Sequence, residues 1–196
     1  MNIIEIFTKS LVLIFSLDRD LWEIILLSLY VSITALIFAS IFGLLIGYYL
    51  AIKNFFLKNF ILIILNSLMG IPPVVVGLIV YFMFASGGPL GVIQLLYTPT
   101  AMIIAQVIII FPIVTSLSHE IFDQNWREYK DQLRSINMTF FGVLFIISKH
   151  SYFLVITALL SAFGRAISEV GAVMIVGGNI NHFTRVMTTA ISLETR

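Results

Sequence analysis

The sequence contains no cysteine and few charged residues. None of its 196 residues is Cys, which excludes disulfides, thiolate metal sites and cysteine nucleophiles. Charged residues make up 11% of the chain, whereas a soluble domain has about 25%. With 60% hydrophobic residues and a mean hydropathy of +1.07, the chain belongs among integral membrane proteins. Its length suits one membrane domain of about four to six helices, with no separate soluble catalytic domain.

Recognisable catalytic motifs are also missing. The sequence has no Gly-x-x-x-x-Gly-Lys-Ser/Thr phosphate loop and no His-Glu-x-x-His motif. The three histidines, His119, His150 and His182, are scattered through polar segments and are interpreted as solvated surface residues. No Ser–His–acid set can be assembled. The sequence therefore gives no reason to assign enzymatic activity, a metal site or a cofactor to this chain.

Hydropathy predicts an all-α membrane protein with four spans, because about 20 consecutive apolar residues cross a bilayer. In the first span, Gly43 and Gly47 have a spacing that can seat a neighbouring helix. The residues before the first span, 1–20, are predicted to form an interfacial helix, with the first turn of a spanning helix as the alternative. The tail, 181–196, is polar and has no span of its own. The predicted spans are residues 21–51, 60–84, 100–117 and 151–176.

The positions of Lys and Arg predict the orientation of the spans. Lysine and arginine favour cytoplasmic loops, and with the amino terminus outside, six of them lie in inner loops. This orientation places residues 119–150 in the cytoplasm, with a short amphipathic helix over residues 125–136. The six are Lys53, Lys58, Arg127, Lys130, Arg134 and Lys149.

The second predicted span is interrupted by Gly70-Ile71-Pro72-Pro73. Proline removes a backbone donor and bends a helix, and two prolines at mid-membrane depth predict a broken helix. Such backbone is tolerated where it lines a cavity or meets other helices. A purely structural kink is the alternative interpretation.

The fourth predicted span carries Arg165 and Glu169 near its middle. In a continuous helix, a spacing of four residues places the two side chains on one face, one turn apart, where they can pair. One hypothesis is a structural ion pair that locks two helices together. The other is that Arg165 draws an anion through the membrane while Glu169 fixes its position, and both can hold at once.

Five segments of the sequence together form a specific pattern. They are GIPPVVVGL (Gly70–Leu78), SGGPLG (Ser86–Gly91), TPTAMIIAQ (Thr98–Gln106), GRAISEVGAVMIVGGNI (Gly164–Ile180) and TRVMTTAISLET (Thr184–Thr195). These segments resemble the permease subunit of tungstate ABC importers, which is close to the molybdate and sulfate permeases. The resemblance runs from about residue 20 to the end of the chain.

The resemblance implies a type I ABC transmembrane domain over residues 21–196, working as a homodimer in the bacterial inner membrane. It also implies an extracytoplasmic oxyanion-binding protein, and a separate ATP-binding subunit that hydrolyses the ATP. Family members dock that subunit through a cytoplasmic pattern, E-A-A-x-x-x-G. The matching positions depart from it: Asp131, Gln132, Leu133 and Asn137. Asn nevertheless tolerates a left-handed backbone.

Several alternative interpretations of the substrate and the function remain beside this resemblance. The family usually has one more span beyond this tail, so a further C-terminal span is expected to be missing. The substrate is predicted to be tungstate, with molybdate or sulfate as alternatives. A non-ABC anion transporter would need titratable carboxylates in several spans, whereas Glu169 is the one deep carboxylate in the predicted spans. A membrane scaffold is the last alternative, and nothing indicates a nucleic-acid partner.

Overall fold

The structure is a computed structural model that describes Ser16 and residues 18–194. The predicted interfacial segment therefore lies almost entirely outside the described residues. In the part described, the chain forms eight α-helices and one 3₁₀ turn, Gly91–Ile93. The helices are α1 (Arg19–Ile52), α2 (Lys58–Met69), α3 (Pro73–Phe84), α4 (Pro99–Ser135), α5 (Phe140–His150), α6 (Tyr152–Ile167), α7 (Gly171–Gly177) and α8 (Met187–Glu194).

Two helices, α1 and α4, are long and apolar enough to cross a membrane on their own. Two bent pairs qualify when each pair is taken as one span. The helix axis bends by 99° between α2 and α3 in the first pair, and by 79° between α5 and α6 in the second. The described residues thus hold up to four spans.

The long helices α1 and α4 form the centre of the bundle. Gly43 and Gly47 face α4, which confirms that this glycine pair seats a neighbouring helix. A methyl group at Gly43 would lie 2.9 Å from Val114 Cγ1, and one at Gly47 would lie 2.8 Å from Thr115 O. Ser118 Oγ also donates a hydrogen bond to Gly43 O across the contact. Only glycine allows the two backbones to come this close.

The third predicted span, 100–117, is part of a longer helix, which corrects the sequence prediction. No separate helix covers residues 125–136, because α4 continues without a break to Ser135. Its polar half remains helical since one face is buried, with Phe122 and Leu133 packed in a cluster that includes Tyr48 and Ile147. The bundle thus extends beyond the apolar part of α4.

Two groups of charged and polar residues lie at opposite ends of the bundle. At one end Asp123 lies 2.8 Å from Arg127 Nη2 and 3.7 Å from Lys58 Nζ. At the other end Glu23 Oε2 lies 2.8 Å from His182 Nδ1. The loop at residues 53–58 and the polar half of α4 therefore share one end, as the predicted orientation requires.

Candidate functional site

The first helix break separates α2 from α3. At its start, the Gly70 N–H donates to Ser67 O and the Ile71 N–H to Leu68 O, at 3.1 and 3.2 Å. Each of these bonds joins residues three apart, whereas an α-helical bond joins residues four apart, so the last turn of α2 is tighter than an α-helical turn. Pro72 then adopts an extended ψ of 127°, and Pro73 begins α3. Pro at the first helical position costs little because its missing N–H would be unpaired there anyway.

The second helix break is absent from the sequence prediction, which expected one helix over residues 151–176. The structure ends α6 at Ile167 and begins α7 at Gly171. Glu169 therefore lies between two helices, and not on one helical face with Arg165 as predicted. Its side chain replaces a backbone acceptor, since Glu169 Oε1 accepts a hydrogen bond of 3.2 Å from the Ala172 N–H. Thr188 Oγ1 donates to Glu169 O at 2.8 Å and ties α8 to the break.

The two breaks lie side by side because α3 packs directly on α7. A methyl group at Gly77 would lie 2.6 Å from Ala172 Cα, and one at Gly171 would lie 2.5 Å from Val74 Cγ2. This contact joins the first two turns of α3 to the first turn of α7. The structure therefore brings the Gly70-Pro72-Pro73 break and the Arg165–Glu169 region, about 100 residues apart in sequence, to one place in the bundle.

Arg165 and Glu169 form a loose ion pair at this place. Arg165 Nη2 and Glu169 Oε2 are 3.9 Å apart, and the side chains are 42% and 8% exposed. A separation of 3.9 Å is longer than a hydrogen bond. The carboxylate therefore attenuates the positive potential of Arg165 without occupying its N–H donors.

A cavity of about 340 Å³ lies beside the first break, and Arg165 is the charged residue in its lining. The rest of the lining is apolar. Met69 and Ile71 come from the break, and α4 contributes the turn around Pro112. A low dielectric strengthens the field of a charge at such a place. The arrangement can attract an anion to the level of the breaks without enclosing it.

Sequence reasoning missed Gln106, a buried polar residue of α4 that contacts the second break. Gln106 is 4% exposed, and its Nε2 donates a hydrogen bond of 3.0 Å to Ala166 O. Its Oε1 is buried without a hydrogen-bond partner among the described residues. An unpaired buried acceptor costs about 1–3 kcal/mol. The signal that would have singled it out is an amide in the middle of an apolar run.

The residues matched to the docking pattern lie at the C-terminal end of α4 and in the turn after it. Asp131, Gln132 and Asn137 are exposed, whereas Leu133 is buried. Asn137 has a φ of +49°, a left-handed conformation that Asn adopts more readily than most residues. Leu133 thus fixes the segment to the bundle, and the three polar side chains face outwards.

A charged cluster at the opposite end of the bundle joins α1 to the segment before α8. Asp20, Glu23 and His182 bring three potential metal-ligating atoms within 4.8 Å of one another. Glu23 already pairs with Arg19 at 3.0 Å and with His182 at 2.8 Å. The cluster is thus a polar network near the surface, in which Glu23 contacts both Arg19 and His182. Its members are about 160 residues apart in sequence, so periodicity does not reveal them.

Comparison with known proteins gives a consistent family and several relatives. Residues 39–194 match the family of binding-protein-dependent transport system inner membrane components. The chain is 40% identical over 191 residues to the tungstate uptake system permease protein TupB of Peptoclostridium acidaminophilum, covering 97% of this chain and 84% of the relative.

Two further relatives extend this result. TupB of Campylobacter jejuni is 35% identical over 189 residues, which cover 96% of this chain and 79% of the relative. A probable anion ABC transporter permease protein of Haloferax volcanii is 38% identical over 174 residues, which cover 86% of this chain and 75% of the relative.

Proposed function

Because the chain belongs to the family of binding-protein-dependent transport system inner membrane components, we propose that it is the permease subunit of an ATP-driven tungstate importer. The fold is that of a type I ABC transmembrane domain, all helical in the part described. Tungstate is proposed as the substrate because the chain is similar along nearly its whole length to two tungstate uptake permeases. The direction proposed is from the cell exterior to the cytoplasm, through the inner membrane.

The exposure of Arg165 supports a homodimer. Its side chain is 42% exposed, and a charge facing lipid near the bilayer centre costs at least about 2.5–3.5 kcal/mol. A second copy of the chain placed over this face removes Arg165 from lipid. The cavity beside the first break then becomes part of a path between the two copies.

The geometry of the ion pair suits passage of an oxyanion. Tungstate is a tetrahedral dianion, and the guanidinium of Arg165 presents N–H donors in a planar fork. Glu169 lies 3.9 Å away and lowers the local potential. Conduction requires binding that is favourable enough to enter and weak enough to leave. A partly neutralised Arg165 meets both conditions.

The energy is proposed to come from ATP hydrolysis on a separate subunit, because this chain has no phosphate-binding loop. Asp131, Gln132 and Asn137 supply exposed polar contacts at the cytoplasmic end. Ile136 and Met138 beside them are exposed and apolar, as expected of a surface that a partner covers. Rigid-body movement of this segment then transmits the nucleotide cycle to the breaks.

The test is metal accumulation in cells that have or lack this gene, grown with trace tungstate and molybdate and measured by mass spectrometry. Selective loss of tungsten, restored by the chain, supports the proposal. Selective loss of molybdenum would identify molybdate as the substrate instead. Unchanged contents of both metals would contradict an importer for either anion.

Arg165→Ala and Arg165→Lys then test the pathway role. We expect Arg165→Ala to abolish uptake while the protein still accumulates in the membrane and assembles with its partners, and Arg165→Lys to retain part of the uptake because it keeps the charge. Normal uptake by Arg165→Ala would exclude the pathway role. Loss of the protein from the membrane would assign Arg165 to structure alone.

A further inference from the structure

We propose that Gln106 is a positioning residue that makes the second break move together with α4 during the nucleotide cycle. The proposal rests on the proposed function, because it assumes an ATP-driven permease. The observation that motivates it is a buried amide of α4 that holds the carbonyl of Ala166 at 3.0 Å, just before the segment that carries Glu169.

A single helix, α4, spans the distance between the docking residues and the breaks. The helix runs unbroken from Pro99 to Ser135, so it carries both Gln106 and the exposed docking residues Asp131 and Gln132. These positions are separated by roughly 37 Å along the axis, at about 1.5 Å per residue. One helix thus connects the cytoplasmic docking end to the depth of the breaks.

The surface of α6 and α7 against which α4 packs is rich in alanine. Where α6 and α7 meet α4, they contribute the small side chains of Ala162, Ala166 and Ala172 to the core cluster. Alanine methyl groups form shallow ridges, so they fix the register of two helices poorly compared with large interlocking side chains. Leu159 of α6 also packs against this cluster. The small residues let the backbones approach closely, so that a polar side chain can hydrogen-bond from one helix to the next.

The amide of Gln106 contacts a carbonyl that already has another hydrogen-bond donor. Ala166 O also accepts from the Glu169 N–H at 3.3 Å, so the carbonyl is satisfied without Gln106. The Oε1 atom of Gln106 has no hydrogen-bond partner among the described residues. A residue needed only to fill this space would be better replaced by a hydrophobic one, because neither end of the amide is required to satisfy a neighbour. The Nε2 contact therefore serves to link α4 to the break.

The test uses the complete complex in liposomes: two copies of the chain, the ATP-binding subunit and the tungstate-loaded binding protein. Gln106→Leu keeps the size of the side chain and removes the link. The matched control is Thr115→Val on the same helix, whose fully buried hydroxyl bonds only within α4, to Phe111 O. We expect Gln106→Leu to lower anion-stimulated ATPase activity and uptake about tenfold. Basal ATPase activity should stay within about twofold, as should all activities of Thr115→Val.

A distance measurement separates linkage from simple stability. The chain has no cysteine, so Gln124→Cys on α4 and Leu160→Cys on α6, both at exposed positions, provide unique spin-label sites within each subunit. With Gln106 present, we expect the intrasubunit distance to be the same in the nucleotide-free and ATP-bound complexes. In Gln106→Leu the distance should change or broaden on ATP binding. If Gln106→Leu fails to accumulate, Gln106→Met takes its place.

Several results would overturn the proposal. They are wild-type uptake by Gln106→Leu, an equal loss of activity in Thr115→Val, or a distance that changes with nucleotide even when Gln106 is present. A different pattern identifies failure of the proposed substrate. If the unaltered complex transports no tungstate, yet ATP changes the distance only in Gln106→Leu, the substrate is wrong and the linkage stands.

Discussion

The break between α2 and α3 and the break between α6 and α7 lie side by side but are maintained in different ways. Between α2 and α3, Pro72 and Pro73 impose the change of direction, and no side-chain hydrogen bond caps either helix end. Between α6 and α7 there is no proline. There the carboxylate of Glu169 bonds the first turn of α7, and two distant side chains bond the backbone on either side.

The difference shows that a break in a membrane helix has either a local or a tertiary cause. Proline acts through its own ring and its missing N–H, so the first break needs no partner. At the second break, Gln106 and Thr188 from other helices donate hydrogen bonds to the backbone. We therefore expect the second break to respond to substitutions far away in sequence, and the first to respond mainly to its own prolines.

The largest effect is expected from Glu169→Leu. The change leaves Arg165 without its counter-charge and removes the bond to the Ala172 N–H. Breaking a buried ion pair costs about 3–5 kcal/mol, and partial exposure of Arg165 reduces this to about 2–3 kcal/mol. Thermal unfolding of the purified protein in detergent should show the loss, and uptake should disappear. Glu169→Gln, which keeps an acceptor for Ala172, should lose less; equal losses would show that the bond to α7 contributes nothing.

Replacing both Pro72 and Pro73 by Ala should straighten the first break. Spin labels on Ile63→Cys and Ile79→Cys, at two exposed positions on α2 and α3, report the distance across the bend, which is 99° in the structure. In a straight helix these 16 residues span about 24 Å. The bent wild type should give a shorter distance, and the double variant should approach the straight value. An unchanged distance would mean that tertiary packing maintains this break too, and the contrast between the two breaks would be lost.

Thr188→Val tests the tertiary support of the second break. The change removes the hydrogen bond of 2.8 Å to Glu169 O, which should lower the free energy of unfolding by about 1 kcal/mol and reduce uptake severalfold. The control is Thr157→Val, because Thr157 Oγ1 bonds only within α6, to Phe153 O. Unfolding and uptake of both variants are compared with wild type. Equal unfolding free energies and equal uptake for the two variants would show that α8 does not support the break.

The smallest effect is expected in the docking turn, outside both breaks. Asn137 has a left-handed φ of +49°. Ala tolerates this conformation less well, so Asn137→Ala should destabilise the turn by about 0.5–1 kcal/mol, whereas Gly accepts it freely. Binding of the ATP-binding subunit, measured by co-purification, should weaken in Asn137→Ala and persist in Asn137→Gly. The opposite order would show that the side chain, and not the backbone, makes the contact.

The sequence predicts the first break, the glycine contact of α1 and the proximity of Arg165 and Glu169, because each has a local signature. It misplaces Glu169 on a helix, since nothing between Arg165 and Gly171 forces a helix to end. It also ends the third span near residue 117, although α4 reaches Ser135. Polarity marks the end of the apolar run there, whereas the helix continues because Phe122 and Leu133 pack against other helices.

By itself, then, the sequence determined the membrane class, the proline break and the resemblance to anion permeases. Composition sets the class, because a chain with 60% hydrophobic residues has too little polar surface to remain in water, and proline acts wherever it stands. Only the tertiary structure decided where the fourth span breaks and which side chains hold it. The reason is that hydrogen bonds from Gln106 and Thr188 arise only after α4 and α8 have packed beside the break.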